Sequence, residues 1–218
     1  MLDPGRRQYG AETMAGCCGS EIGFDGLSDA YRRVLWAVIA INGIMFGVEM
    51  GAGVLAGSQA LKADALDFLG DTVTYGLSLA VIGTPLIWRS RAALLKGLSL
   101  AAMGLWVLGS TAHQLLVLGV PRAEVMGAIG FLAFAANVAS VLLLLRYRDG
   151  DANVRSVWLC SRNDAIGNLA VVLAAGGVWS TATAWPDLTV AGIMAALFLW
   201  SSIGIIRQAS AEHRLATA

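Results

Sequence analysis

The sequence predicts an all-α membrane protein of six transmembrane helices with both termini in the cytoplasm. Its composition, six long apolar stretches and an uneven distribution of basic residues lead to this prediction. Hydrophobic residues make up 57% of the 218 residues and charged residues only 14%, and the mean hydropathy is +0.68. A soluble domain usually carries about 25% charged residues. Much of this chain is therefore expected to face lipid.

Six stretches are long and apolar enough to cross a bilayer, whose hydrocarbon core needs roughly 20 mainly apolar residues per helix. Turn-forming residues separate several of them, as in the string Trp185-Pro186-Asp187 before the last. The predicted spans are residues 34–57, 63–88, 92–118, 125–145, 158–179 and 188–206. They form one transmembrane domain, residues 28–206. A flexible cytoplasmic N-terminal tail, residues 1–27, precedes it, and a short cytoplasmic C-terminal tail, residues 207–218, follows it.

The basic residues predict the orientation of these spans. All but two of the 15 lysine and arginine residues lie before the first span, around the second and fourth connections, or after the sixth span. Only Lys62 and Arg122 fall on the opposite side. Positively charged residues collect on the cytoplasmic side of membrane proteins. We therefore expect both termini in the cytoplasm and the protein in a bacterial-type inner membrane.

Charge and cysteine content exclude several classes of function. The formal net charge is zero, so nothing indicates a nucleic-acid partner. The three cysteines, two of them adjacent at Cys17 and Cys18, cannot form a disulfide framework and are typical of free thiols in a reducing compartment. The polar, glycine-rich N-terminal tail lacks the apolar stretch of a signal peptide, so we expect none.

Acidic side chains inside the predicted spans point to a site, because an ionised side chain at mid-bilayer costs about 2.5–3.5 kcal/mol on insertion scales. Asp67 and Asp71 are four residues apart in the second span and share one helix face. Cys160 and Asp164 have the same spacing in the fifth span, with Asn168 one turn further. If the two pairs face each other, they supply three carboxylates and one thiolate. Zn²⁺ takes four ligands in a tetrahedral site.

Other polar residues of the spans leave alternatives open. Asp64 is compatible with the same site or with an interfacial position. Cys160 could be a small buried apolar residue, and the acidic pair of the second span could be structural. His113 has no acidic partner four residues away, which favours a hydrogen-bonded packing role. Asn42 and Glu49 in the first span are expected to bridge helices or to line the pathway.

Two strings resemble motifs of the cation diffusion facilitator family of divalent-metal/proton antiporters. The string Gly57-Ser-Gln-Ala-Leu-Lys-Ala-Asp-Ala-Leu-Asp67-Phe-Leu-Gly-Asp71 is similar to that family's second-span pattern, which ends in Asp-Ala-x-His/Asp-x-x-x-Asp. The string Cys160-Ser-Arg-Asn-Asp164-Ala-Ile-Gly-Asn168 resembles its fifth-span pattern His/Asp-x-x-x-Asp. Asn42, Glu49 and the Trp185-Pro186-Asp187 string also fit, so the resemblance covers about residues 30–206.

The resemblance implies a homodimer of six-helix subunits with alternating access coupled to protons. It places the transport site at Asp67, Asp71, Cys160 and Asp164, with possible accessory roles for Asp64, Glu49, Asn42, Asn168, Cys17 and Cys18. Three departures from the family are visible. The segment after the sixth span is too short for the family's soluble C-terminal domain, and the fourth connection has no histidine-rich loop. Cys160 also stands where most members have His or Asp.

These observations predict a secondary transporter and not an enzyme. It would export divalent metal cations, Zn²⁺ first and Cd²⁺ or another thiophilic ion second, from the cytoplasm in exchange for protons. Closely packed acids cannot all stay ionised, so proton exchange follows from the site itself. No ATP-binding glycine loop is present, and we expect no cofactor besides the transported metal. The alternative is a non-transporting membrane subunit that senses metal or acts as a scaffold.

Overall fold

The computed structural model describes residues 29–80, 86–117, 119–147 and 152–217, and within them it contains helices and short connections but no strand. The six helices are α1 Asp29–Ala56, α2 Gln59–Ala80, α3 Leu86–Val117, α4 Ala123–Leu144, α5 Ala152–Thr181 and α6 Trp185–Thr217. A short 3-10 turn, Leu145–Tyr147, continues α4. The all-α prediction is confirmed for this part of the chain. Even 22 residues, the length of α2 and α4, span roughly 33 Å as an α-helix.

Four of the helices are long and apolar enough to cross a membrane. They are α1, α3, α4 and α6, with candidate segments Asp29–Ala56, Ser90–Leu116, Ala123–Tyr147 and Trp185–Arg214. Their outward faces carry large exposed apolar side chains such as Trp36, Leu116 and Trp200. The described parts of α2 and α5 are not among these four helices, and both helices carry residues of the predicted site. Six spans therefore remain a prediction.

The boundary between the second and third predicted spans was wrong. The helix α2 ends at Ala80 among the described residues, and Trp88 belongs to α3 and not to the second span. In the sequence, Pro85 directly precedes the first residue of α3. Proline lacks a backbone N–H and is tolerated in the first turn of a helix but not in its interior. Arg91, which lies between the second and third predicted spans, consequently lies in the early turns of α3.

The structure describes most of the predicted C-terminal tail but not the predicted N-terminal tail. Most of the segment predicted as a C-terminal tail, residues 207–218, is helical and continues α6 through Thr217. The predicted N-terminal tail, residues 1–27, lies outside the described residues, and so do Cys17 and Cys18.

The six helices pack into a bundle in which α3 pairs with α6, α4 with α5, and α1 with α2 and α4. Glycines allow α3 and α6 to approach closely. A Cβ at Gly97 would lie 2.7 Å from Cγ1 of Ile206, and one at Gly104 would lie 2.9 Å from Cγ of Leu199. Small residues at such contacts are typical of helices that associate in lipid. The helix α2 also contacts α3, α5 and α6, so it lies at the centre of the bundle.

Two of the bundle's apolar clusters lie at its opposite ends, on either side of a polar layer. We call the end where α1 begins and α6 ends the near end, and the opposite end the far end. The near-end cluster joins α1, α2, α4 and α5 and consists of Tyr31, Leu35, Val38, Ile39, Tyr75, Leu144 and Val157. The far-end cluster joins α2, α4 and α5 and consists of Ala60, Leu61, Met126, Val171, Ala174, Ala175 and Val178. Polar residues of α1, α2 and α5 lie between them along the chain.

The turn between α1 and α2 gives α2 its starting point. Gly57 has a φ of +72°, a left-handed conformation that glycine adopts without steric cost and that commonly ends a helix. The N–H of Ser58 then donates to the carbonyl of Gly53 at 3.0 Å. Arg122 holds the same turn from the start of α4, because its guanidinium donates to the carbonyl of Leu55 at 2.7 Å.

Candidate metal site

Three of the four predicted metal ligands meet where α2 faces α5. Asp67 and Asp71 lie one turn apart on α2, and the carboxyl group of Asp164 on α5 makes hydrogen-bonding contacts with both. An ionised carboxylate can only accept hydrogen bonds, so a bond between two carboxyl groups needs a proton on one of them. The i, i+4 spacing places Asp67 and Asp71 on one face of α2, and metal binding by these residues stays a prediction. We call these three residues the acidic triad.

Tyr75 lies against the acidic triad on its near side. Its hydroxyl donates a hydrogen bond to Oδ2 of Asp71 at 2.7 Å, and its ring belongs to the near-end cluster. The two residues are four apart on α2, so the bond follows from helix geometry. Sequence analysis missed Tyr75, because a tyrosine in an apolar helix is most often a packing residue.

Cys160, the fourth predicted ligand, lies one turn before Asp164 on α5. It is half-buried and not in a disulfide, and it lies within electrostatic range of the Tyr75 hydroxyl. The thiol therefore lies on the near-end side of Asp164, one turn along α5. Within the part of the chain that the structure describes, no three His, Cys, Asp or Glu side chains are arranged so that they could hold a metal ion. Oδ2 of Asp71 accepts a hydrogen bond from Tyr75, and Oδ2 of Asp164 has no hydrogen-bond partner among the described residues.

A second pair of acids lies on the far side of the acidic triad. Glu49 of α1 is fully buried, Asp64 of α2 is 1% exposed, and the two carboxyl groups interact with each other. Among the described residues, neither oxygen of Glu49 has a hydrogen-bond partner of good geometry. Glu49 is also within electrostatic range of Asp67. Asp64 is thus buried between helices, near the start of α2.

The two asparagines singled out in the sequence are also buried. Asn42 on α1 is 1% exposed and Asn168 on α5 is fully buried. Both amide atoms of Asn168, and Oδ1 of Asn42, find no hydrogen-bond partner within the described ranges. Leaving a buried polar group unpaired costs about 1–3 kcal/mol. We therefore expect these amides to have a role other than packing. His113 is exposed on α3, which does not fit the predicted packing role.

Asp187 at the start of α6 joins this helix to the N-terminus of α2. It is fully buried and accepts hydrogen bonds from the Ser58 hydroxyl at 2.6 Å and from the backbone N–H groups of Gln59 and Ala60 at 2.8 and 3.0 Å. The Ser58 hydroxyl also accepts from the N–H of Leu61 at 3.1 Å, as an N-cap residue does. A carboxylate is favoured there because the first N–H groups of a helix carry partial positive charge.

We call Asp187 and its partners Ser58, Gln59 and Ala60 the Asp187 clasp. The clasp determines where α2 begins relative to α6, and it thereby determines the position of the acidic triad along the axis of the bundle. Sequence analysis recorded Asp187 only as part of the Trp185-Pro186-Asp187 string. The available signals were an acid at the start of one helix and a capping serine at the start of another. Their pairing joins residues more than 120 positions apart, which local patterns do not reveal.

A protein-family model described as the cation efflux transmembrane domain matches residues 88–212, more than half of the chain. The chain belongs to the cation efflux family. This confirms the resemblance to the cation diffusion facilitators. The matched range includes Cys160, Asp164 and Asp187 but not α1 or α2. Together with the four apolar helices, membership of the cation efflux family makes the chain an integral membrane protein.

Two curated members of the cation efflux family are similar to this chain. One is the metal cation efflux system protein CzcD of Cupriavidus metallidurans, and the other is the cation efflux system protein CzcD of Alcaligenes sp. (strain CT14). Each is 25% identical over 174 residues, which cover 73% of this chain and 54% of the relative. The chain thus spans about half the length of the curated relatives that it matches.

Proposed function

We propose that this cation efflux family member is a secondary transporter that exports divalent metal cations from the cytoplasm in exchange for protons. The observation that supports this most is the acidic triad, three carboxyl groups from two helices that meet inside an apolar bundle. Buried ionisable residues of membrane proteins commonly mark ion pathways and proton relays. All six helices cross the membrane in this proposal, and the near end faces the cytoplasm of a bacterial-type cell.

The proposed ligands are Asp67, Asp71, Asp164 and Cys160. Three carboxylates and one thiolate around a dication would neutralise its charge and offset the cost of removing its water. One sulfur among oxygen ligands suits Zn²⁺, with Cd²⁺ as a second substrate, whereas Mg²⁺ and Ca²⁺ prefer oxygen ligands alone. To form this site, the cation would replace the protons that the carboxyl groups share with one another.

The same oxygens can therefore carry either protons or metal, which couples the two movements. Glu49 and Asp64 extend the acidic path towards the far end, and Asn42 and Asn168 are proposed to line it. The thiols of Cys17 and Cys18, which lie outside the described residues, are proposed to deliver soft metal ions from the cytoplasm. We further propose that the transporter works as a homodimer in the lipid bilayer.

Zinc uptake into inside-out vesicles tests this proposal. Asp71→Ala and Asp164→Ala should each abolish uptake while the protein is still inserted and folded, because each removes a ligand from the acidic triad. Glu124→Gln is the matched control, since Glu124 is an exposed acid in the first turn of α4, and it should transport like wild type. Wild-type uptake by both alanine variants would show that the acidic triad is not the transport site. No uptake by the wild type would favour the alternative, a non-transporting sensing or scaffolding subunit.

A further inference from the structure

Tyr75 is fixed both by its ring and by its hydroxyl. The side chain is 1% exposed, and its ring packs in the near-end cluster with residues of α1, α4 and α5. Its hydroxyl donates to Oδ2 of Asp71 at 2.7 Å, a distance typical of a strong O–H···O bond. The donor is therefore held by packing against three other helices and cannot turn away without disturbing the cluster.

From this geometry we propose that Tyr75 determines which cations the site accepts, an inference that rests on the proposed transport function. The hydroxyl already engages Oδ2 of Asp71, which favours metal binding through the other oxygen. Asp71 is thereby held as a monodentate ligand. A site with monodentate acids favours cations that need few ligands.

The coordination habits of the cations make the consequence specific. Zn²⁺ is satisfied by four ligands in a tetrahedral arrangement. Ca²⁺ takes 6–8 oxygen ligands and often uses carboxylates in bidentate fashion, and Mn²⁺ also prefers carboxylate, carbonyl and water oxygens. With Oδ2 of Asp71 engaged by Tyr75, the acidic triad offers fewer oxygens than these cations need. Tyr75 thus lowers the affinity of the site for cations that prefer oxygen ligands, and this effect does not depend on the Cys160 sulfur.

Tyr75→Phe removes the hydroxyl and retains the ring, so the near-end cluster keeps its packing. Both oxygens of Asp71 then become available, and the preference for Zn²⁺ over Mn²⁺ should fall by about tenfold, the size expected when one hydrogen bond to a charged group is lost. Tyr147→Phe is the matched control. The Tyr147 ring stacks edge-on against Tyr31 of the same cluster, and its hydroxyl has no hydrogen-bond partner among the described residues.

The experiment measures competitive uptake of Zn²⁺ and Mn²⁺ into proteoliposomes, together with equilibrium binding of each cation to the detergent-solubilised protein. The proposal predicts that Tyr75→Phe lowers the Zn²⁺/Mn²⁺ ratio in both assays while Tyr147→Phe does not. An unchanged ratio in Tyr75→Phe, or an equal change in both variants, overturns it. If the wild-type protein binds Zn²⁺ in preference to Mn²⁺ but transports neither, the transport proposal fails. The Zn²⁺/Mn²⁺ binding ratios of the variants then still test the role of Tyr75. Tyr75→Leu, which also lacks the hydroxyl, replaces the phenylalanine variant if that one does not fold.

Discussion

A single sulfur distinguishes the proposed ligand set of this protein from one built of carboxylates alone. Cys160 is half-buried and lies one turn from Asp164, on its near-end side. Thiolate is a soft ligand that suits Zn²⁺ and other thiophilic ions, whereas carboxylates alone suit Mg²⁺, Ca²⁺ and Mn²⁺. The identity of this one residue is thus expected to set much of the preference among metals.

Replacement of Cys160 by Asp should weaken transport of Cd²⁺ relative to Zn²⁺ and admit Mn²⁺, because the site then contains only oxygen. Replacement by His should restore a preference for Zn²⁺, since imidazole suits that ion. Competitive transport of the three cations by wild type and both variants is the measurement. The same order of preference in all three proteins would show that Cys160 is not a ligand and only packs.

At the residue scale, the sequence predicted contacts that depend on helix periodicity and missed those that depend on packing. Asp67 and Asp71 share a face because they are four residues apart, and metal binding by them stays a prediction. The bond from Tyr75 has the same spacing, yet Tyr75 itself looked like an ordinary apolar-core residue. Whether Asp64 was buried could not be decided from the sequence, because its burial requires Glu49 on a neighbouring helix.

At the scale of elements, the Asp187 clasp is the contact that positions the helix carrying two of the acids. Asp187→Ala removes the acceptor of three hydrogen bonds and leaves buried N–H groups at the start of α2 without a partner. We expect a loss of about 1–3 kcal/mol of stability, as for other lost caps and buried hydrogen bonds. Thermal unfolding followed by intrinsic tryptophan fluorescence measures this loss.

Ser58→Ala provides the comparison for that variant, since it removes one donor and one capping acceptor but keeps the carboxylate on the backbone N–H groups. It should unfold between wild type and Asp187→Ala. Equal midpoints for wild type and Asp187→Ala would contradict the assignment of a stabilising clasp.

Helix boundaries show where local patterns stop being informative. Hydropathy alone placed the end of the second span at residue 88, because the apolar sequence continues on both sides of Pro85. The structure assigns Trp88 to α3. The helices α2 and α5 are not among the four candidate membrane spans, and they are also the two helices that carry the proposed ligands.

At the scale of the whole molecule, the proposal combines an apolar bundle, a buried acidic path and an uneven distribution of basic residues. The near-end cluster and the far-end cluster enclose the polar layer. The acidic triad, Glu49 and Asp64 lie in that layer, with the acids of α2 spaced along its axis. The distribution of lysine and arginine predicts that the near end faces the cytoplasm. Export would then carry a cation from the triad past Glu49 and Asp64 towards the far end.

The exchange of metal for protons is the central claim, and zinc-driven proton movement in proteoliposomes tests it most directly. Purified protein is reconstituted with a pH-sensitive dye inside, and Zn²⁺ is added outside. The account predicts that zinc entry drives protons out, so that the interior becomes more alkaline, and that Asp164→Asn abolishes both movements while Glu124→Gln retains them. Zinc entry without a change of internal pH, or wild-type exchange in Asp164→Asn, would contradict it.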